Sequence, residues 1–297
     1  MHPAAETWYQ SSIAYSFTFW GVRGSIACPT PRHVGYGGNT SCIEVSAGDR
    51  KIILDAGTGL RELGRKLLRD GVKKADLLLT HTHWDHINGF PFFTPAYNPD
   101  LEINIMAGHL TDKGGIQRVL SVQMDNPMFP VPLEAMTANI TFTDFHAGEE
   151  FELYPGVNVR TAPLNHPNGS TAYRVEYEGK SCVYVTDTEH VPGETDERIV
   201  ELIRDADLVV YDSTYTEDEF PAKVGWGHST WNEGVRLCRL ANVKKMAIFH
   251  HEPDHFDDFM DALQEEAQRV WHGAFVCREG MVFDLNDPEN IDESSCV

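Results

Sequence analysis

No apolar run in these 297 residues approaches the ~20 needed to cross a bilayer, which excludes a transmembrane helix. The opening residues, MHPAAETWYQSS, lack the basic segment followed by an apolar one that marks a secretory signal. Cysteine is scarce and scattered: Cys28, Cys42, Cys182, Cys238, Cys277 and Cys296 show no CxxC spacing. That excludes a cysteine zinc finger and a disulfide framework, and is expected of reduced thiols in a cytoplasmic protein. Positive charge is short as well, with 24 basic side chains against 45 acidic and a formal net charge of −21. Such a balance opposes a large polyanionic partner, whether nucleic acid or an anionic membrane face. A small anionic substrate stays open, because bound metal ions invert a local potential.

What the chain does have is core. Its 41% hydrophobic and 10% aromatic content exclude general disorder and suit one domain over 15–285, with 1–14 and 286–297 as loose tails. Short apolar runs at 51–54, 76–80, 182–186, 207–211 and 246–249 predict strands. Helical spacing predicts helices over 60–70, 231–241 and 255–272. Gly71 offers a C-cap to the first, and Thr230 with Glu233 has capping-box spacing at the start of the second. Strands alternating with helices mean α/β layers. Residues 90–145 break the pattern with FPFFTPAYNPD and QMDNPMFPVP, and are expected to form a covering insertion.

The chemistry concentrates at His81-Thr82-His83-Trp84-Asp85-His86, directly after the apolar run ADLLLT. With fourteen histidines in the whole chain, three within six positions beside an aspartate is a rare chance event. Imidazole and carboxylate are borderline ligands suited to Zn²⁺, Mn²⁺ or iron, and a buried cluster of them without an ion would leave polar atoms unsatisfied. A tight loop leaving the strand would turn His81 and His83 toward one ion and Asp85 and His86 toward a second. Further ligands are expected where other apolar runs end: Asp55 after KIIL, His166 in APLNHPNG, Asp187 after SCVYVT and His250 after MAIF. Polar residues at successive strand ends build a site along one sheet edge.

In this order, Asp55, HTHWDH, His166, Asp187 and His250 resemble the five motifs of the metallo-β-lactamase-fold hydrolases. The resemblance implies a four-layer αββα sandwich with two divalent metal ions, zinc first, in the groove between the sheets. It assigns His81, His83 and His166 to one ion, Asp85, His86 and His250 to the other, Asp187 to both, and Asp55 to orienting the ligands. His251 competes with His250 for the last ligand role. The stretch ADLVVYDSTYTEDE with GWGHSTWNEG further resembles the ribonuclease Z and cyclic phosphodiesterase branch. That implies His228, oriented by Asp212, as proton donor to the leaving oxygen while hydroxide attacks phosphorus; the branch usually carries Glu where Asp212 stands. It also implies a homodimer.

Only twenty residues separate His166 from Asp187, so the long arm with which ribonuclease Z enzymes grip transfer RNA is missing. The cysteine-rich insertion of the phosphonate-pathway phosphodiesterases is missing too. A small phosphodiester remains, a 3′,5′-cyclic nucleotide above all. Arg23, Asn39, Ser229 and Thr230 are candidates for substrate contact, the last two because they open a helix whose free N–H groups favour a phosphate oxygen. Phe92, Phe93 and Phe129 are candidates for stacking on a base or for core packing. A lactonase or thioesterase would use the same ions without needing His228. A nucleotide-binding sensor would bind without turnover.

Overall fold

In the computed structural model, which describes residues 15–287 and 291–292, the first six strands build most of one sheet. They are β1 (Tyr15–Gly21), β2 (Cys42–Ala47), β3 (Arg50–Leu54), β4 (Lys74–Leu79), β5 (Glu102–Ala107) and β6 (Asn139–Asp144). The next seven form a second sheet: β7 (Glu150–Tyr154), β8 (Val157–Leu164), β9 (Ser170–Tyr177), β10 (Lys180–Val185), β11 (Leu208–Asp212), β12 (Lys245–Phe249) and β13 (Ala274–Val276). The chain then returns to the first sheet with β14 (Val282–Asp284) against β1 and β15 (Ile291–Asp292) beyond it. Strands β3 to β6 run parallel, as do β10 to β13.

Alternation along the strands explains why these runs read as continuously apolar. Ile52, Leu54 and Leu78 of the first sheet meet Tyr184, Val210 and Phe249 of the second in one core between the sheets. Their neighbours Ile53, Leu77 and Leu79 point the other way, under α1 (Leu60–Arg69) and the Phe90 and Phe93 turns. Beyond the one-turn α2 (Trp84–Ile87), α3 (Ile116–Gln123) covers the same face. On the far side, Val183, Val209 and Ile248 pack under α4 (Glu197–Ile203), α5 (Trp231–Leu240) and α6 (Asp257–Val270). Strands buried on both faces need apolar residues at every position, and the result is four layers, αββα.

One expectation fails. Residues 90–145 are not a covering insertion, because β5 and β6 extend the first sheet in parallel register with β4. Their sequences, EINIMA and NITFTD, interleave polar with apolar residues, since the outer strands of the sheet are only partly covered. The expected tail 1–14 lies outside the described residues; of 286–297, Ile291–Asp292 pairs with β14 rather than hanging loose. Cys28, Cys42, Cys182, Cys238 and Cys277 are buried free thiols, and Cys296 lies outside the described residues. No helix among the described residues is long and apolar enough to cross a membrane.

Candidate metal centre

Six strands end at one edge of the inter-sheet cleft, and each delivers a titratable side chain there. Asp55 follows β3, His81 stands two residues past β4, His166 two past β8, Asp187 two past β10, Asp212 closes β11 and His250 follows β12. Three of these residues turn sharply as they leave the strand, with φ of 62° at Asp55, 56° at Asp187 and 62° at His250. Non-glycine residues seldom adopt that conformation, at a cost of about 1–3 kcal/mol each, and such strain gathers at functional sites.

The side chains converge on Asp187. Its Oδ2 lies 3.5 Å from His81 Nε2 and 3.6 Å from His166 Nε2. Its Oδ1 lies 3.1 Å from His86 Nε2 and 3.3 Å from His250 Nε2. His83 Nδ1 sits 3.0 Å from His166 Nε2, and Asp85 Oδ2 lies 3.3 Å from His250 Nε2. Two sets emerge, His81, His83, His166 and Asp187, then Asp85, His86, Asp187 and His250, each with its ligand atoms within 4.8 Å of one another. Asp187 belongs to both. The arrangement is compatible with two divalent metal ions.

Proton placement tests that fit. The Asp55 carboxylate accepts from Thr80 N at 2.8 Å, from the Thr80 hydroxyl at 2.9 Å, from Tyr184 OH at 3.0 Å and from His86 Nδ1 at 2.8 Å. With its proton given to Asp55, Thr80 Oγ1 accepts from His81 Nδ1 at 3.1 Å. Thr214 Oγ1 likewise donates to Asp212 at 2.7 Å and accepts from His250 Nδ1 at 2.9 Å. His166 Nδ1 donates to the Gly227 carbonyl at 2.7 Å. Each of these four Nδ1 atoms has an acceptor within reach, an arrangement that suits the tautomer a metal ligand needs, with the Nε2 lone pair turned inward. His81 Nε2 is buried with no hydrogen-bond partner, and the Nε2 atoms of His86 and His250 face each other at 3.4 Å. Two ring nitrogens facing each other at this distance are compatible with a cation between them. Atoms bound ~2.0–2.1 Å from a tetrahedral ion sit about 3.3 Å apart, the spacing seen here.

Charge agrees. Burial lowers the His81, His83 and His166 pKa values, which keeps the imidazoles neutral and able to coordinate. Burial also disfavours the His86 cation, but Asp187, Asp85 and Asp55 outweigh it and raise that pKa. The same carboxylates would favour a metal cation. Burial would raise the Asp187 pKa, yet His250, His86 and His81 pull it well below the usual carboxylate range.

At the rim, His228 Nδ1 lies 3.0 Å from Asp212 Oδ2 and 3.8 Å from Asp187 Oδ2. Asp212 is held in turn by the Thr188 amide at 3.0 Å. Burial disfavours a charged His228, but the charge and hydrogen bond of Asp212 overcome it and push the pKa up to about 9. Gly227, at φ +87°, admits the close approach of this loop: a Cβ there would meet His166 Nδ1 at 2.4 Å.

The side chains of the four expected substrate contacts are engaged within the protein. The buried Arg23 guanidinium donates to the carbonyls of Gly37, Glu252 and His255, clamping two loops together. Asn39 gives its amide and side-chain donors to Glu279. Ser229 Oγ is engaged with His190 and Tyr211, and Thr230 caps α5 through the Glu233 amide while donating to Glu217. Phe93 is buried in the core, and Phe92 packs edge-on against Phe129. His251 turns away to the Cys277 carbonyl, so His250 is the one in the cluster. Sequence reasoning missed Thr80, Tyr184, Thr214 and the Ser25 amide, which donates to Asp85 at 2.8 Å. Hydroxyls and amides of this kind carry no distinguishing sequence pattern, whereas Gly227 stood visible in GWGHST.

A family model described as "Beta-lactamase superfamily domain" matches residues 50–251. A protein named ribonuclease Z from Haloarcula marismortui is 25% identical across 88% of this chain and 94% of its own length. The crystal structure of the metallo-beta-lactamase fold protein YhfI from Bacillus subtilis superposes with a TM-score of 0.68 at 16% identity, covering 91% of this chain and 98% of that one. A diphosphatase from the PhnP family superposes with a TM-score of 0.66 at 21% identity, covering 91% and 97%.

Proposed function

The chain belongs to the beta-lactamase superfamily, and from that membership we propose that it is a two-metal phosphodiesterase acting on a small phosphodiester, a 3′,5′-cyclic nucleotide first. Relatives named ribonuclease Z and the diphosphatase neighbour support a metal-dependent hydrolase. Five imidazoles and two carboxylates suit zinc, with manganese or iron as alternatives. His81, His83 and His166 would hold one ion, Asp85, His86 and His250 the other, and Asp187 both. When bound, the ions would activate water and neutralise charge on the phosphoryl oxygens.

The observation that carries the phosphoryl reading is the His228–Asp212 pair at 3.0 Å, 3.8 Å from Asp187. Nδ1 faces Asp212, which leaves Nε2 for a leaving oxygen. Ester hydrolysis with a good leaving group needs no such donor, whereas an alkoxide leaving phosphorus does. General acid help of this kind is worth about 10²–10⁴-fold. The test is a hydrolysis screen of metal-reconstituted protein against cyclic AMP, cyclic GMP, bis-p-nitrophenyl phosphate, a lactone and a thioester. His228→Ala is expected to cut cyclic nucleotide turnover about 10²–10⁴-fold while two ions stay bound. Lactone or thioester turnover indifferent to the substitution would replace the phosphoryl reading with a lactonase or thioesterase. Cyclic nucleotide recovered unchanged would favour a binding sensor.

The second reading is an RNA substrate, favoured by the name its relatives carry. Against it stand the net charge of −21 and the short His166–Asp187 connection.

A further inference from the structure

His228 follows a turn with little packing of its own. Residues 224–226 are exposed, Val224 by 58% and Trp226 by 60%, and Gly225 and Gly227 stand at φ of 91° and 87°. Glycine loses more backbone freedom on ordering than any other residue, so such a turn is costly to hold in one shape. After His228 the chain is fixed, because the Ser229 carbonyl accepts from the Tyr215 amide at 3.0 Å and Ser229 Oγ lies 2.8 Å from His190 Nδ1. Before it, the Gly227 carbonyl accepts from His166 Nδ1 at 2.7 Å, and one carboxylate takes up the amides. Glu189 Oε2 accepts from the Gly225 amide at 2.8 Å and from the Gly227 amide at 2.8 Å, while Oε1 lies 2.9 Å from the Gly225 amide. Hydrogen bonds to a charged acceptor are roughly twice as strong as neutral ones.

Glu189 is itself held through its backbone. Its amide donates to the Asn165 carbonyl at 2.8 Å, and Asn165 Nδ2 donates to the Glu189 carbonyl at 2.8 Å. Asn165 precedes His166, and Glu189 stands two residues past Asp187. The carboxylate thus ties the turn before His228 to two segments that carry candidate metal ligands. Resting on the reading of His228 as proton donor in a phosphodiesterase, we infer that Glu189 is a positioning residue. It holds the Gly225–Gly227 turn against the ligand-bearing segments, so that His228 reaches the leaving oxygen, and it touches no substrate itself.

The zinc-reconstituted full chain tests this on two substrates. Cyclic AMP has an alkoxide leaving group, whereas the p-nitrophenolate of bis-p-nitrophenyl phosphate leaves with little need of a proton. Glu189→Ala is expected to lower kcat for cyclic AMP about 10–100-fold with KM little changed, as when a catalytic group is misplaced by about 1 Å. Turnover of bis-p-nitrophenyl phosphate should fall less than about threefold, because general acid help counts for little there, and two ions should stay bound. Glu189→Gln should recover part of the loss, since its one carbonyl oxygen can take the place of Oε2. In a His228→Ala background, Glu189→Ala should add no further loss on cyclic AMP, as for residues that act as one unit. Deuterium exchange needs no turnover: the Gly225 and Gly227 amides should exchange about tenfold faster or more in Glu189→Ala. Equal losses on the two substrates, losses that multiply with His228→Ala, or unchanged exchange at those amides would overturn the inference. So would loss of an ion, which would make Glu189 a support of the metal ligands. Absent phosphodiester turnover by the unaltered protein would sink the phosphodiesterase reading, while the exchange rates would still report whether Glu189 holds the turn, so the two failures are distinguishable.

Discussion

At Asp187 one carboxylate serves two groups of imidazoles, Oδ2 toward His81 and His166 and Oδ1 toward His86 and His250. Without it, five histidines, four of them buried, and Asp85 would have to share two dications with one charge fewer. Asp187→Ala is expected to hold fewer than two ions per chain by elemental analysis after dialysis, and to lose hydrolysis by about 100-fold or more. Two ions retained at full occupancy would contradict a shared ligand. Residues of this kind were legible because coordination demands particular atoms: the sequence marked His81, His83, Asp85, His86, His166, Asp187 and His250, and all seven meet in one cleft. The partners of Arg23, Asn39, Ser229 and Thr230 were not legible, since a donor facing a substrate and a donor closing a loop are the same residue type. Their hydrogen bonds to Glu252, Glu279, His190 and Glu217 are visible only once distant segments are brought together.

Among the elements, the strands buried on both faces stood out as unbroken apolar runs, and β3, β4, β10, β11 and β12 lie where those runs are. β5 and β6 did not, because a partly covered strand alternates and its neighbours in sequence are rich in Pro and aromatics. Helix α4 was missed for a different reason: seven residues give too few turns for a period to show. Its start is marked instead by Asp196, whose carboxylate accepts from the amides of Arg198 at 3.0 Å and Ile199 at 3.4 Å. Burial would raise the Asp196 pKa, but Arg198 and the two amides outweigh it and lower it below the usual value. A depressed folded pKa means stability that is complete above the unfolded carboxylate range and is lost as pH falls through the folded value. Asp196→Ala should therefore cost about 1 kcal/mol at pH 7. Urea titrations should show the difference from the unaltered protein shrinking as pH approaches 3. A difference independent of pH would mean that the charge of Asp196 contributes nothing to the cap.

For the whole molecule, the choice between a small phosphodiester and RNA is a choice between two salt dependences. A protein that neutralises Z phosphates of a single strand releases their counterions, and its log affinity falls with log salt at a slope near −0.7Z. Six to ten such contacts lose about 300- to 15,000-fold in affinity between 50 and 200 mM salt. This chain carries a net charge of −21, and its centre would become locally positive only through two bound dications against Asp85 and Asp187. A cyclic nucleotide brings a single charge to that local field, which the ligands screen at close range and added salt barely reaches. Between 50 and 200 mM KCl, kcat/KM for cyclic AMP is therefore expected to change less than about threefold. Filter binding of a precursor transfer RNA over the same range should show no saturable complex, since the acidic surface repels the strand beyond the centre. A steep negative slope with a saturable complex at low salt would mean that cations not evident from the charge balance line a path for RNA.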